Sequence, residues 1–344
     1  MSNPKNASIS GEGFRFYRWD PAEGGEPTDV LSVTSIRRLC GEPYVLVRWQ
    51  IGNVIDTILG TQKQTTIGPR GGVTEKRQVF EFPSEFAKKY DATAGEQGAI
   101  DSVRKWLSDT ADEPRNIAAI RGTITHEAIE KNVDWTRIEQ AYVESAFAGL
   151  SNRDKSKVKD GVRFEDVNFV RNSLRQYWDM RANVPMFIIA REVQVFNLTA
   201  GYAGSADALA WLLPDGYDGP MPKAETFTLD MFRALGGELA LLDWKTSKGV
   251  YTDQVVQAHA YMAAEFVGTN GIIDHRLTEL LNATMLGGLV HIRPNSWAVH
   301  LFDFNQSVLR AFLGSVAFAR FLATYPEPDT LFTANYSGSA PEGE

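Results

Sequence analysis

Leu241-Leu242-Asp243-Trp244-Lys245-Thr246-Ser247-Lys248 is the stretch on which the fold of this chain turns. Two apolar residues run into an acid, and a lysine follows two positions after it. On a β-strand, residues two apart project from the same face, about 7 Å along the chain. Asp243 and Lys245 therefore point together, while Trp244 faces the other way. A carboxylate that holds a divalent cation and an ammonium that orients a water are two of the parts needed to hydrolyse a phosphodiester. The same pattern also describes an ordinary strand with an acid and a lysine on its wet face. The rest of the chain has to decide between the two.

Around this stretch the order of elements is that of a mixed α/β protein. Pro185 marks a change of period. MFIIAREVQVFNL, from Met186, is β-branched and aromatic and reads as a strand. GYAGSADALAWLL, from Gly201, is a second strand entered through glycines that permit a bend or bulge at Asp207. Residues 214–237 form a Pro- and Gly-bearing excursion with a short helix near 227–235, and ELALLDWKTS is the third strand. A helix follows over 253–267, with Thr252 as its cap and Asp253 in its first turn, where an acid suits the helix dipole. GGLVHIRP and WAVHLFDF make a hairpin around Asn295, and an amphipathic helix covers Gln306 to Thr324.

The front of the chain reads as mostly helical. A short strand is expected at Phe14 to Trp19. LSVTSIRRL enters a helix capped by Thr34 or Ser35, and further helices are expected over 44–59, 84–90 and 97–109. The polar, Gly-rich stretch 60–80 reads as an exposed loop. A helix over 115–131 carries Gly122, His126 and Glu130 on one stripe, four residues apart. Two more follow at 135–149 and 162–182. The boundaries expected are a helical region over 1–114, an α/β core over 115–325 and a loose tail over 326–344.

Composition sets the class. The 344 residues are 43% hydrophobic and 23% charged, ordinary for a globular protein. No apolar run approaches the roughly 20 residues needed to span a bilayer, and the N-terminus lacks the layout of a secretory signal. A cytoplasmic protein with no membrane association is expected. Cys40 is the single cysteine, which excludes an intrachain disulfide framework and any all-cysteine zinc or iron–sulfur site. A net charge of −8 disfavours indiscriminate nucleic-acid binding but leaves room for a local basic groove.

Each candidate site residue has a plain alternative. His126 opens HEAIE like a zinc-protease helix, but position 130, where the second His is required, is Glu130; it could equally make a structural hydrogen bond. Asp207 could sit in a simple turn. Glu192, in AREVQVF, is either an acid near a metal or an exposed strand residue. Gln257 and Tyr261 are four apart on the helix after Lys245, suited to bind a phosphate or the lysine, or else an ordinary polar face.

Taken in order, a helix with His, a strand with Gly-x-x-Asp, a strand with Asp-x-Lys and a helix with Gln-x-x-x-Tyr resemble the PD-(D/E)XK nuclease superfamily. More narrowly, the set resembles the RecB-type and CRISPR-associated exonuclease branch. SVTSIRRL, then Trp49, then GTITHEAIE is similar to mitochondrial genome maintenance exonucleases and their phage relatives. The resemblance spans about Ser32 to Tyr261. It implies a restriction-endonuclease-like mixed sheet flanked by helices, with the helical N-terminal region forming a DNA channel or arch. It further implies a metal-dependent DNA exonuclease working on single-stranded ends in recombination, repair or replication, with DNA and a recombination or replication protein as partners. An endonuclease of the same fold, or an inactive DNA-binding module, is the alternative. Under the resemblance His126, Asp207, Asp243 and the Trp244 carbonyl are ligands of Mg²⁺ or Mn²⁺. Lys245 activates the water, and Gln257 and Tyr261 support Lys245 or grip phosphate. Glu130 and Glu192 match acids of less settled role. With one cysteine, the iron–sulfur cluster of some relatives is excluded.

Overall fold

A computed structural model describes residues 7–9, 14–40, 61–67, 73–79, 95–156, 158 and 161–324. The chain packs as two compact units. One comprises Glu42–Gln176 with the short pieces Met1–Ser2 and Arg293–Ser296; the other comprises Asn3–Gly41, Tyr177–Ile292 and Trp297–Glu344. Trp49, the helices expected over 44–59 and 84–90, and the tail from 326 lie outside the described residues.

In chain order the strands are β1 (Ala7–Ile9), β2 (Arg15–Trp19), β3 (Thr28–Ser32), β4 (Thr61–Ile67), β5 (Val73–Val79), β6 (Met186–Asn197), β7 (Tyr202–Leu212), β8 (Glu238–Lys245), β9 (Phe266–Thr269), β10 (Ile272–Ile273), β11 (Leu286–Arg293) and β12 (Ser296–Asp303). The α-helices are α1 (Val33–Cys40), α2 (Gly95–Glu130), α3 (Gln140–Gly149), α4 (Asn152–Lys155), α5 (Phe164–Asn183), α6 (Leu229–Leu235), α7 (Thr252–Met262), α8 (His275–Asn282) and α9 (Gln306–Thr324). Among the described residues no helix is long and apolar enough to cross a membrane.

A mixed ten-stranded sheet flanked by helices organises the fold, as the order of elements implied. Its line runs β1-β2-β3-β7-β6-β9-β10, and a branch leaves β7 through β8 to β11 and β12. The pairs β3–β7 and β8–β11 are parallel. β7 and β8 lie at the centre, and every residue of β8 after Glu238 is buried. Burial on both faces explains why ALAWL and LALL read as continuous apolar runs rather than alternating ones. α1 packs with α7 and α9, around a core that includes Ile36, Ala260, Phe312 and Val316.

Four local expectations are corrected. The stretch read as an exposed loop forms the β4–β5 hairpin, with Thr61 opposite Val79 and Ile67 opposite Val73. Its β-branched Thr, Val and Ile residues suit a strand, but without an apolar alternation the polar composition hid them. The helices expected over 97–109 and 115–131 are one 36-residue helix, α2, which runs through Pro114, although an interior proline forfeits a hydrogen bond. α1 begins at Val33, so Ser35 lies inside the helix and its Oγ accepts the Arg15 N–H at 2.9 Å, tying α1 to β2. α7 ends at Met262 because the chain then turns into the sheet: Glu265 N–H donates to Phe196 O, and Phe266 and Val267 pair with β6. Tyr251, not Thr252, is its capping position, and the Gln254 side chain accepts the Tyr251 N–H.

The second face of the sheet yields a test of burial. Tyr17 is 4% exposed and stands edge-on to Phe196, with ring centroids 6.4 Å apart. Burial pushes its phenol up to about 12; the Arg15 charge opposes this and the Glu192 charge adds to it. A phenol with a raised folded pKa keeps its proton in the native state while the unfolded chain loses it. The stabilisation is therefore complete below the ordinary value of about 10 and is lost as pH rises from there through about 12. We expect Tyr17→Phe to flatten the fall of stability over that interval by roughly 2–3 kcal/mol, measured by urea unfolding at a series of alkaline pH values. An unchanged slope would show that this phenol is not protected by the fold.

Candidate active site

The second unit's site lies where β7 changes partners. β7 pairs with β3 at Tyr202 and Ala203 and with β8 from Ala208 to Leu212. Asp207 falls in the interval between, one residue beyond the β8 ladder. Its Oδ2 accepts the backbone N–H of Trp244 at 2.5 Å, so a carboxylate stands where a ladder carbonyl otherwise would. This contact fixes the Asp207 side chain against the end of β8.

Asp243 and Lys245 share a face of β8, as the strand period requires, and the Lys245 ammonium is ion-paired to Asp243 Oδ2. Trp244 points the other way and packs edge-on to Tyr177 at 5.7 Å, with the Tyr177 hydroxyl accepting from Arg191 at 3.3 Å. Asp243 and Lys245 are only 4% and 7% exposed. Burial decides against the ordinary reading of an acid and a lysine on a wet strand face, because buried charges are costly unless paired.

α7 supplies the remaining contacts. Lys245 Nζ donates to Gln257 Oε1 at 3.3 Å, and Gln257 Nε2 donates to the Tyr261 hydroxyl at 2.6 Å. The four-residue spacing places Gln257 and Tyr261 on one stripe, and both are almost fully buried. Burial pushes the Tyr261 phenol well above its ordinary range; the Asp243 charge adds to this, Tyr17 and Asp207 contribute less, and the Gln257 hydrogen bond acts the other way. Tyr261 is thus a neutral hydroxyl beside two carboxylates. Its ring is seated on Gly204: a Cβ there would lie 2.4 Å from Tyr261 Cε1.

That seat corrects the reading of GYAGSAD. Gly204 makes room for a ring, and Gly201, at φ +73°, occupies the left-handed conformation that glycine tolerates. The bulge is on β6 instead, where the register with β7 shifts between Ile188 and Ala190. Glu192 follows it with φ +48°, a strained backbone for a residue with a side chain. Arg191 pairs with Ala208 and Val193 with Ala206, so Glu192 stands across from Asp207 in register. Its exposed carboxylate accepts from Ser205 Oγ at 3.1 Å.

The structure thus gathers Asp207, Asp243, Trp244, Lys245, Gln257 and Tyr261 in one unit. His126 and Glu130 belong to the other, on the last turns of α2, His126 half-buried and Glu130 exposed. Among the described residues no three His, Cys, Asp or Glu side chains form a ready-made metal cluster. Asp207 and Asp243 nonetheless fit a hard cation, since Mg²⁺ is commonly held by one or two carboxylates, with water and substrate phosphate completing its shell.

Two features of the site escaped the sequence. Arg37, on α1, donates from Nη1 to Gln257 Oε1 at 2.9 Å while its Nε pairs with Asp253 Oδ2 at 3.2 Å. The loop after Lys245 is stapled by His291 Nε2, which donates to Ser247 O at 2.7 Å, and by Gln254 Nε2, which donates to Ser247 Oγ at 3.3 Å. Arg37 lies 220 residues from Gln257, and only the fold joins them.

No protein-family model matches the chain, and no curated protein matches it in sequence. Among solved structures it is similar to a crystal structure of LHK-Exo in complex with dAMP, with a TM-score of 0.29 and 12% identity over 61% of this chain and 93% of that one.

Proposed function

We propose that the chain is a metal-dependent deoxyribonuclease that hydrolyses phosphodiester bonds, working as an exonuclease on the ends of single-stranded DNA. The observation that supports it most is the buried Asp243–Lys245 pair with Gln257 on its ammonium, beside Asp207 on the neighbouring strand. A buried ion pair is poor value as a stabilising device, whereas an acid, a lysine and a second acid converging at a strand end form a hydrolytic set.

In this reading Asp207 and Asp243 hold Mg²⁺ or Mn²⁺, with the Trp244 carbonyl as a further ligand. The ion, when bound, lowers the pKa of a water and neutralises charge on the phosphate. Lys245 holds the attacking water in line and offsets the negative charge that grows on the phosphoryl oxygens. Gln257 keeps the ammonium in place. Tyr261, a neutral hydroxyl, anchors the Gln257 amide without adding charge. Glu192, across from Asp207, supplies further negative charge near the cation. The leaving 3′ oxygen takes its proton from solvent. Such an activity serves recombination, repair or replication.

The test is cleavage of end-labelled single- and double-stranded linear DNA beside a closed circle, each with EDTA, Mg²⁺ and Mn²⁺. We expect metal-dependent loss of the linear single strand with the circle spared. Cutting of the circle would make the enzyme an endonuclease. Binding of DNA without cleavage under any metal would overturn the nuclease reading in favour of a DNA-binding module.

A further inference from the structure

We propose that Arg37 is a positioning residue for Lys245 and acts through the side chain of Gln257; the proposal rests on the nuclease reading above. A primary amide has nearly the same shape when turned by half a revolution, but the turn exchanges an acceptor for a donor. Only the orientation with Oε1 toward Lys245 can accept from the ammonium. Three contacts choose it: Lys245 Nζ at 3.3 Å and Arg37 Nη1 at 2.9 Å both donate to Oε1, and Nε2 donates to Tyr261 at 2.6 Å. The Arg37 contact is the shorter of the two made to the oxygen. A tyrosine hydroxyl can donate or accept, so Tyr261 alone does not select the orientation.

Arg37 is itself held from the other side. Asp253, Gln257 and Tyr261 follow one another at four-residue steps along α7 and form one stripe. Asp253 takes the Nε side of the guanidinium at 3.2 Å, and Gln257 takes Nη1. A planar guanidinium can serve both at once, because its spread charge pairs with Asp253 on one side while Nη1 donates to Gln257 on the other. A lysine has a single nitrogen and would settle on Asp253. α1 and α7 are packed against one another, and the Arg37 and Asp253 side chains are 25% and 22% exposed. The contact is therefore a partly sheltered one between fixed elements. Without Arg37, Lys245 loses its fixed second partner and its ammonium is left to Asp243 alone.

The experiment measures kcat and KM for cleavage of end-labelled single-stranded DNA with Mg²⁺ by Arg37→Ala, Arg37→Lys, Gln257→Ala and the Arg37→Ala/Gln257→Ala double variant. A misplaced catalytic group costs about a hundredfold per ångström, so Arg37→Ala is expected to lower kcat by about ten- to a hundredfold with KM unchanged. Arg37→Lys should regain thermal stability, by restoring the pair with Asp253, but not kcat. The double variant should be no slower than Gln257→Ala, because the two residues act as one unit. Rate losses that multiply, a loss that appears in KM, or recovery of kcat by lysine would each overturn the proposal. The same proteins give a second readout by NMR, the exchange of the Gln257 side-chain amide protons with solvent. Exchange should be slow in the wild type and fast in Arg37→Ala. If the wild type cuts no DNA, the nuclease reading fails by itself; unchanged exchange in Arg37→Ala sinks the positioning role independently.

Discussion

Lys245→Ala is expected to abolish cleavage while DNA remains bound. Lys245 is 7% exposed, its ammonium in contact with Asp243 Oδ2 and donating to Gln257, so no neighbouring group in the pair can replace it as a donor to the water. Loss of one acid–base or charge-stabilising group lowers a rate by about 10²–10⁴-fold. Single-turnover cleavage with enzyme in excess isolates that loss from product release, and fluorescence anisotropy with labelled DNA measures binding separately. The substitution also frees Asp243 from its counter-charge. The variant should therefore bind Mn²⁺ at least as tightly as the wild type, which no misfolded protein would do. Cleavage at the wild-type rate would remove Lys245 from the mechanism.

The part of the site written in the sequence is the part set by local periodicity. Asp243 and Lys245 share a face because the strand repeat is two, and Gln257 and Tyr261 share one because the helix repeat is near four. Those pairings appear in the structure. β8 and β7 were legible for a related reason, since strands buried on both faces are apolar throughout, and α9 spans the expected Gln306 to Thr324. What periodicity does not carry is burial and long-range contact. Nothing in LLDWK says that its charges are covered. Gly204 reads as a bend or bulge until Tyr261, 57 positions later, is found lying on it. Arg37 looks like one more helix arginine until the fold brings it to Gln257. Phe266 and Val267 continued a helical pattern until the free edge of β6 claimed them for β9. In each case tertiary structure overrode a local preference that was sound by itself.

The two acids should separate metal binding from stability. Asp243→Asn keeps the shape of the side chain but leaves the Lys245 ammonium without its counter-charge in a place where the two side chains are only 6% and 8% exposed. Removing one partner of a buried pair costs about 3–5 kcal/mol. Asp207→Asn is a milder change: the side chain is half-buried, and its remaining carbonyl oxygen can still accept the Trp244 N–H, so its cost should stay near 1 kcal/mol. For the cation the two are equivalent, because each removes one of two carboxylates. Calorimetric titration with Mn²⁺ should weaken sharply in both variants, whereas urea unfolding should separate them. Adding Lys245→Ala to Asp243→Asn removes the orphaned charge and should recover much of the lost stability while leaving the metal affinity low. An Mn²⁺ titration unchanged in either single variant would remove that acid from the ligand set. Equal stability loss in the two would mean that the Asp243–Lys245 contact is not the buried, mutually dependent pair on which the catalytic assignment of Lys245 rests.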